Sequence, residues 1–252
     1  MSLPDDINAC ARVVEQGDPE RFRTAMAAPV AARQVLFPLY AFNVEVARAP
    51  WVTQEAMIAE MRLQWWRDAL EEIGAGGPVR KHEVTTPLTE ILTPAQAARL
   101  DVAVAARRWD IYRDAFEDQT HMDAYLDQTA GHLMWTAAEA LGAPASGEVA
   151  VRDVAFAAGC ASFLRAVPTL AQAGRIPLLD GTHEGLIALA RRAKGRLTRP
   201  DLPKSARAAL WPALGAGKTL DQVIRDPSSV GDGRLSPGVT PFQLSWTVLT
   251  GR

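Results

Sequence analysis

Cysteine is scarce in this chain: only Cys10 and Cys160 occur, far apart and without the spacing of metal ligands. A disulfide framework and a cysteine-based zinc site are therefore not expected, and a reducing compartment fits. Positive charge is not in excess either. The 27 Lys and Arg residues against 29 Asp and Glu give a formal charge of -2 and a pI near 6.1. That removes the electrostatic basis for binding nucleic acid. The one basic cluster, Arg191 to Arg199, reads as a solvated face. Long apolar runs are missing too: the longest, Val154 to Leu164, is too short to span a bilayer. The start, Met1-Ser2-Leu3-Pro4-Asp5-Asp6, lacks the basic and apolar regions of a signal peptide. The expected location is cytoplasmic, with peripheral contact at the inner membrane as the alternative. His121, His132 and the other two histidines do not pair with each other or with cysteine as metal ligands would.

Alternation of apolar and polar residues is also absent, and helical periodicity takes its place. Asp18 followed by Pro19 predicts a helix start. From Pro29 a stripe runs through Val30, Arg33, Phe37, Tyr40 and Val44 and should end by Ala49, ahead of Pro50. Thr53 is expected to cap a helix through Met57, Met61, Trp65 and Leu70 to Ile73, stopped at the Gly74–Pro78 segment. Residues 80–94 read as a connection. Helices are expected over 95–116, 122–141, 149–164, 183–194 and 204–214. Pro168 is expected to kink or stop the central one, and 226–241 to form a loop. A last short apolar element carries Phe242, Leu244, Trp246 and Leu249. With 48% hydrophobic residues the chain can bury a large core, and the expected fold is all-α, a single-domain helical bundle over 1–252. Gly215-Ala216-Gly217-Lys218-Thr219 hints at a phosphate loop but lacks the earlier glycine and the preceding strand.

Several segments, taken in order, resemble squalene and phytoene synthases. Arg33 followed by Leu39-Tyr40-Ala41-Phe42-Asn43 is similar to the family's early helix, and Leu63-Gln64-Trp65-Trp66-Arg67 to its Trp-Arg helix. Arg108-Trp109-Asp110, then Tyr125-x3-Thr129-Ala130-Gly131, then Leu164-Arg165 with Gly174-Arg175 follow in register. The likeness covers roughly residues 18–180. It implies an isoprenoid-synthase fold with a core of about 18–195, and 196–252 as poorly matched C-terminal helices and loop.

In active members of that family, the resemblance implies, two aspartate-rich motifs face each other across a cavity. Each sets carboxylates at i and i+4 on one helical face, and together they hold Mg²⁺ on a diphosphate. The first motif's acids would fall at Ala47, Arg48 and Trp51, and the second's at Ala166, Thr169 and Leu170. None is acidic, so no catalytic residue and no metal ligand is assigned. Gly159 and Ser162 stand where the family has glutamine and asparagine. Trp51 and Leu170 are expected to fill a shrunken pocket. Arg33, Tyr40, Glu45, Arg48, Asp110 and Arg165 remain as possible cavity or ligand-binding residues. For Glu45 and Asp110 the plainer reading is ion pairing with Arg33, Arg48 or Arg108; for Tyr40, Trp65 and Trp109 it is core packing.

Phe42-Asn43-Val44-Glu45-Val46-Ala47, Arg62-Leu63-Gln64-Trp65-Trp66 and Thr129-Ala130-Gly131 look closer to the aspartate-less branch that includes the complex I assembly factor 6 proteins than to true synthases. That resemblance implies a degenerate synthase that binds or assembles, with NADH dehydrogenase subunits as partners and no cofactor. Two alternatives stay open. One is an isoprenoid biosynthesis enzyme, a prenyl transferase with a rearranged site and Mg²⁺; the other is a prenyl-lipid-binding protein.

Overall fold

The computed structural model describes residues 3–250; Met1, Ser2, Gly251 and Arg252 lie outside the described residues. Among the described residues every regular element is helical, as the periodicity predicts. Contacts group the chain into two compact units. One holds 1–112, 136–143 and 203–209; the other holds 113–135, 144–202 and 210–252.

The first unit begins with a helix that the sequence reading did not pick out, α1 (Leu3–Gly17). Its signal was the i, i+4, i+8 spacing of Asp6, Cys10 and Val14, all buried. Helix α2 (Pro19–Ala27) starts as expected: the Asp18 carboxylate accepts the Arg21 backbone N–H at 2.9 Å, with Pro19 in the first turn. Helix α3 (Val30–Arg48) is the core helix of this unit. Every residue from Leu36 to Phe42 is buried, so it is covered on all sides, and it runs straight through Pro38. Helix α4 (Ala56–Ala75) buries Ala59, Leu63, Trp66, Leu70 and Ile73, one per turn. Its N-cap position is Glu55; the Thr53 hydroxyl, two residues earlier, instead accepts the Glu55 N–H at 3.1 Å. Gly76 ends α4 at φ 67°, a backbone conformation that glycine adopts without Cβ strain.

The stretch read as a connection contains a short helix, α5 (Thr85–Ile91). The Thr85 hydroxyl donates to the Arg80 carbonyl at 2.7 Å and ties its start down. Helix α6 (Pro94–Ala106) has a full capping box, with Thr93 and Gln96 each holding the other's backbone N–H. It was expected to reach Phe116 but gives way to a 3-10 turn over Arg107–Asp110. In this unit α1 packs on α3 and α5, and α4 on α6.

In the second unit the helix expected over 122–141 starts earlier and is interrupted. Asp118 caps α7 (Gln119–Leu126), and Asp127–Gly131 forms a π-helical turn. The chain then continues as α8 (His132–Ala140), whose residues from Thr136 on group with the first unit. Helix α9 (Glu148–Gln172) is the core helix of the second unit; it packs against the π turn, α7 and the later helices. With its leading turn it is long and apolar enough to cross a membrane by length and composition, but buried residues such as Val151, Phe156, Leu164 and Val167 mark it as core. Pro168 neither stops nor ends α9, which continues to Gln172. Beyond it come α10 (His183–Gly195) and, in place of the α-helix expected over 204–214, a 3-10 segment at Arg207–Ala213 containing Pro212. Helices α11 (Ala216–Arg225), α12 (Ser228–Gly231) and α13 (Pro241–Thr250) complete the unit. The expected loop 226–241 thus holds one helical turn, and the Gly215–Thr219 stretch is simply the start of α11.

Each unit contains one buried cysteine. Burial pushes both thiols up to about 12, so neither carries thiolate at neutral pH. Both should therefore resist an aromatic disulfide reagent in the native protein and react in denaturant. Stepwise release of two thiols during a urea titration would report the two units separately. A thiol that reacts at once in the folded protein would contradict this packing.

Candidate functional site

The positions where the family's first acidic motif would lie sit at the C-terminal end of α3. Ala47 is half-buried and Arg48 is exposed, and Trp51 follows in a turn closed by its N–H to the Arg48 carbonyl at 2.9 Å. Trp51 is 41% exposed, which corrects the expectation that it fills a pocket: the turn carries it past the end of the helix, where the surrounding chain leaves it open. Arg48 pairs with Glu45 at 3.4 Å on its own helix, as near-neighbour charges predict. The positions of the second motif lie on α9. Ala166 and Leu170 are half-buried and Thr169 is exposed. Arg165 donates to the Ser162 hydroxyl at 3.1 Å, so the two polar residues bordering this motif bond to each other.

Asp110 is buried, 4% exposed, and its partner is Arg107 at 3.2 Å rather than the expected Arg108. The 3-10 turn brings residues three apart onto one side. Arg108 instead bonds Glu60, which also accepts the Tyr112 hydroxyl. Arg33 donates through Nε to the Ala28 carbonyl at 2.9 Å, closing the end of α2. Tyr40 is buried in the core of the first unit with the Arg21 guanidinium 5.7 Å from its ring centre. Its hydroxyl finds no hydrogen-bond partner, and burial pushes its pKa upward. Trp65 is held edge-on by Trp66 and His82 and covered by Arg80, so it is a packing residue, as the plainer reading expects.

Sequence reasoning missed a groove of about 510 Å³ between α4 and α6. It is lined by Gly74, Ala75, Ala97 and Ala98 and closed on one side by a two-bond ion pair of Arg67 with Asp101, at 2.7 and 3.1 Å. The signal was there: small residues on two successive helices leave room between them. The exposed apolar group Trp51, Val52, Met57, Ile58 and Met61 was also missed as a surface.

These side chains do not suit a divalent cation. Mg²⁺ takes carboxylate, phosphate and water oxygens in octahedral array. Among the described residues no group of three or more His, Cys, Asp or Glu side chains is placed to share a metal. At the motif positions a methyl group and a guanidinium on α3 with an indole just past its end, and a methyl, a hydroxyl and an isobutyl group on α9, replace the acids. Arg48 adds a positive charge that repels a cation.

One neighbouring difference is fixed by packing. A Cβ added at Gly159 would stand 2.7 Å from the Ala130 Cβ, because α9 crosses the π turn there at close range. The glutamine found at this place in the family does not fit beside Ala130.

The squalene/phytoene synthase family matches residues 14–180 of the chain. A Drosophila melanogaster homolog of NADH dehydrogenase (ubiquinone) complex I, assembly factor 6 is 30% identical over 178 residues, 67% of this chain and 53% of that protein. The Homo sapiens assembly factor 6 is 24% identical over 172 residues, 63% of this chain and 48% of that one. The chain thus spans about half the length of the curated relatives it matches. Among solved structures, a dehydrosqualene synthase in complex with ligand superposes with a TM-score of 0.78 at 17% identity, covering 99% of this chain and 96% of that one. The squalene synthase HpnC from Alicyclobacillus acidocaldarius gives 0.73 at 16% identity, covering 90% and 95%. These likenesses bear out the isoprenoid-synthase fold.

Restoring the family's residue at the crossing should be costly. Gly159→Gln gains up to about 1 kcal/mol of helix propensity, but overpacking against Ala130 costs about 1–3 kcal/mol and more for a long side chain. Urea unfolding should show a net loss of stability; a variant as stable as the parent would mean that the crossing is loose.

Proposed function

This chain belongs to the squalene/phytoene synthase family, and we propose that within it the chain is a degenerate member that binds and assembles rather than condensing prenyl diphosphates. The observation that carries this reading is the donor set. Both places where the fold would gather acids around a metal hold none, and one holds an arginine. Ionising a prenyl diphosphate adds a further negative charge to a leaving group that is already anionic, and the family mechanism neutralises it with metal. A single exposed guanidinium already paired with Glu45 is a weak substitute.

The relatives that match in sequence are named as assembly factors of NADH dehydrogenase, and this supports subunits of a respiratory NADH dehydrogenase as the client. The shared helical frame would then supply shape and surface instead of chemistry. A cytoplasmic location with peripheral contact at the inner membrane is part of the same proposal.

A tagged chain drawn from gently solubilised native membranes should carry NADH dehydrogenase subunits, identified by mass spectrometry, and deleting it should lower the amount of assembled enzyme. Incubation with farnesyl or geranylgeranyl diphosphate and Mg²⁺ should give no squalene- or phytoene-type product. Product formation would restore the prenyl-transferase reading. Prenyl lipid recovered without protein partners would favour a lipid carrier.

A further inference from the structure

From Leu235 to Thr250 the chain carries no charged residue, the longest such stretch in a sequence that is 22% charged. This stretch is not loose. Gln222 on α11 receives the Ser236 N–H and hydroxyl, each at 2.9 Å, and donates to the Arg234 carbonyl at 2.8 Å. Gly238 lies directly against Gly215: a Cβ there would meet the Gly238 carbonyl oxygen at 2.0 Å. Thr240 and Gln243 form a reciprocal cap at the start of α13, and Gln243 also donates to the Leu214 carbonyl at 3.3 Å.

Thus seated, α13 turns Leu244 and Thr247 inward. Its other side presents Phe242, 79% exposed, Trp246, 59%, and Leu249, 82%, with Val248 at the flank, 45%. Spaced i, i+4 and i+7, the first three form one stripe within an arc of about 60°. A capped and hydrogen-bonded helix thus holds two aromatic side chains and a leucine in water.

We propose that α13 is the element that rests on the membrane, its stripe entering the boundary between headgroups and acyl chains of a bilayer. The inference rests on the peripheral membrane contact proposed above and names the surface that makes it. Two features select this occupant. The stripe offers roughly 500 Å² of apolar side-chain surface, well under the ~800 Å² per partner of a stable protein interface. A bilayer needs no matching shape, and Trp and Phe are the residues that settle at its interface. The absence of charge then fixes the lipid chemistry: attachment through α13 gains nothing from anionic headgroups.

The test is flotation of the full chain with vesicles of pure phosphatidylcholine, with and without added salt. Binding should be independent of salt and unchanged by adding phosphatidylserine. Phe242→Ser with Leu249→Ser should weaken it about tenfold or more, with an unchanged thermal transition because both side chains are already exposed. Brominated acyl chains should quench Trp246, read as the difference from a Trp246→Ser variant. No binding to neutral vesicles, binding only to anionic vesicles and released by salt, or binding untouched by the double substitution would each overturn the proposal. So would a dimer that the double substitution converts to monomer, since the stripe would then meet a second copy. Recovery of NADH dehydrogenase subunits in detergent is the separate readout of the assembly role. Loss of that recovery with vesicle binding intact would refute the assembly role and leave α13 standing.

Discussion

The second unit is organised by the close crossing of α9 over the π turn at Asp127–Gly131. Gly159 makes the approach possible, since any side chain there meets Ala130. Arg152, one turn from the start of α9, joins Asp127 of the π turn and Glu148 of its own helix, and so fixes the rotation of α9 about its axis. The extra residue of a π turn shifts the register of the following helix. Here it lets Thr129 bond back to the Tyr125 carbonyl at 2.6 Å while Ala130 meets α9. Phe116, Tyr125 and Phe163 then close one side of the crossing as an aromatic cluster. Helices α10, α11 and α12 pack on α9 in turn, so their placement follows from how near it can come.

That geometry bears on how a metal-dependent scaffold gives up its metal. The crossing is built around glycine where the family has glutamine, and the motif positions further along α9 carry alanine, threonine and leucine. On α3 the corresponding end is an intrahelical pair of Arg48 with Glu45 and an exposed Trp51. Neither helix end has been left with half a site. A lone buried carboxylate without its cation would be strongly destabilising, and Asp110, the buried acid among the candidate site residues, is matched by Arg107.

The parts of the fold legible in the sequence were those set by local physics. Asp18 with Pro19, the glycine stop after α4 and the unbroken apolar run of α9 each act through neighbouring residues. The parts misread were those decided by tertiary packing. A proline inside a helix removes one donor and crowds the preceding turn; α9 nonetheless continues past Pro168 to Gln172, at the end of a helix anchored by the buried Phe163, Leu164 and Val167. Helix α5 escaped notice because seven residues give periodicity too little length to show. At the candidate site the sequence could show which acids were missing. It could not show that Trp51 stays open, that Asp110 turns to Arg107, or that small residues on α4 and α6 leave a groove, since these depend on where a turn points and how far apart two helices lie.

The central claim is that this family frame persists without its diphosphate chemistry. Calorimetric titration of the full chain with a non-hydrolysable prenyl thiodiphosphate, in the presence and absence of Mg²⁺, tests it most directly. The account predicts no metal-dependent binding, because no set of carboxylates is available to hold the cation against the diphosphate. Micromolar binding that appears only with Mg²⁺ would contradict it.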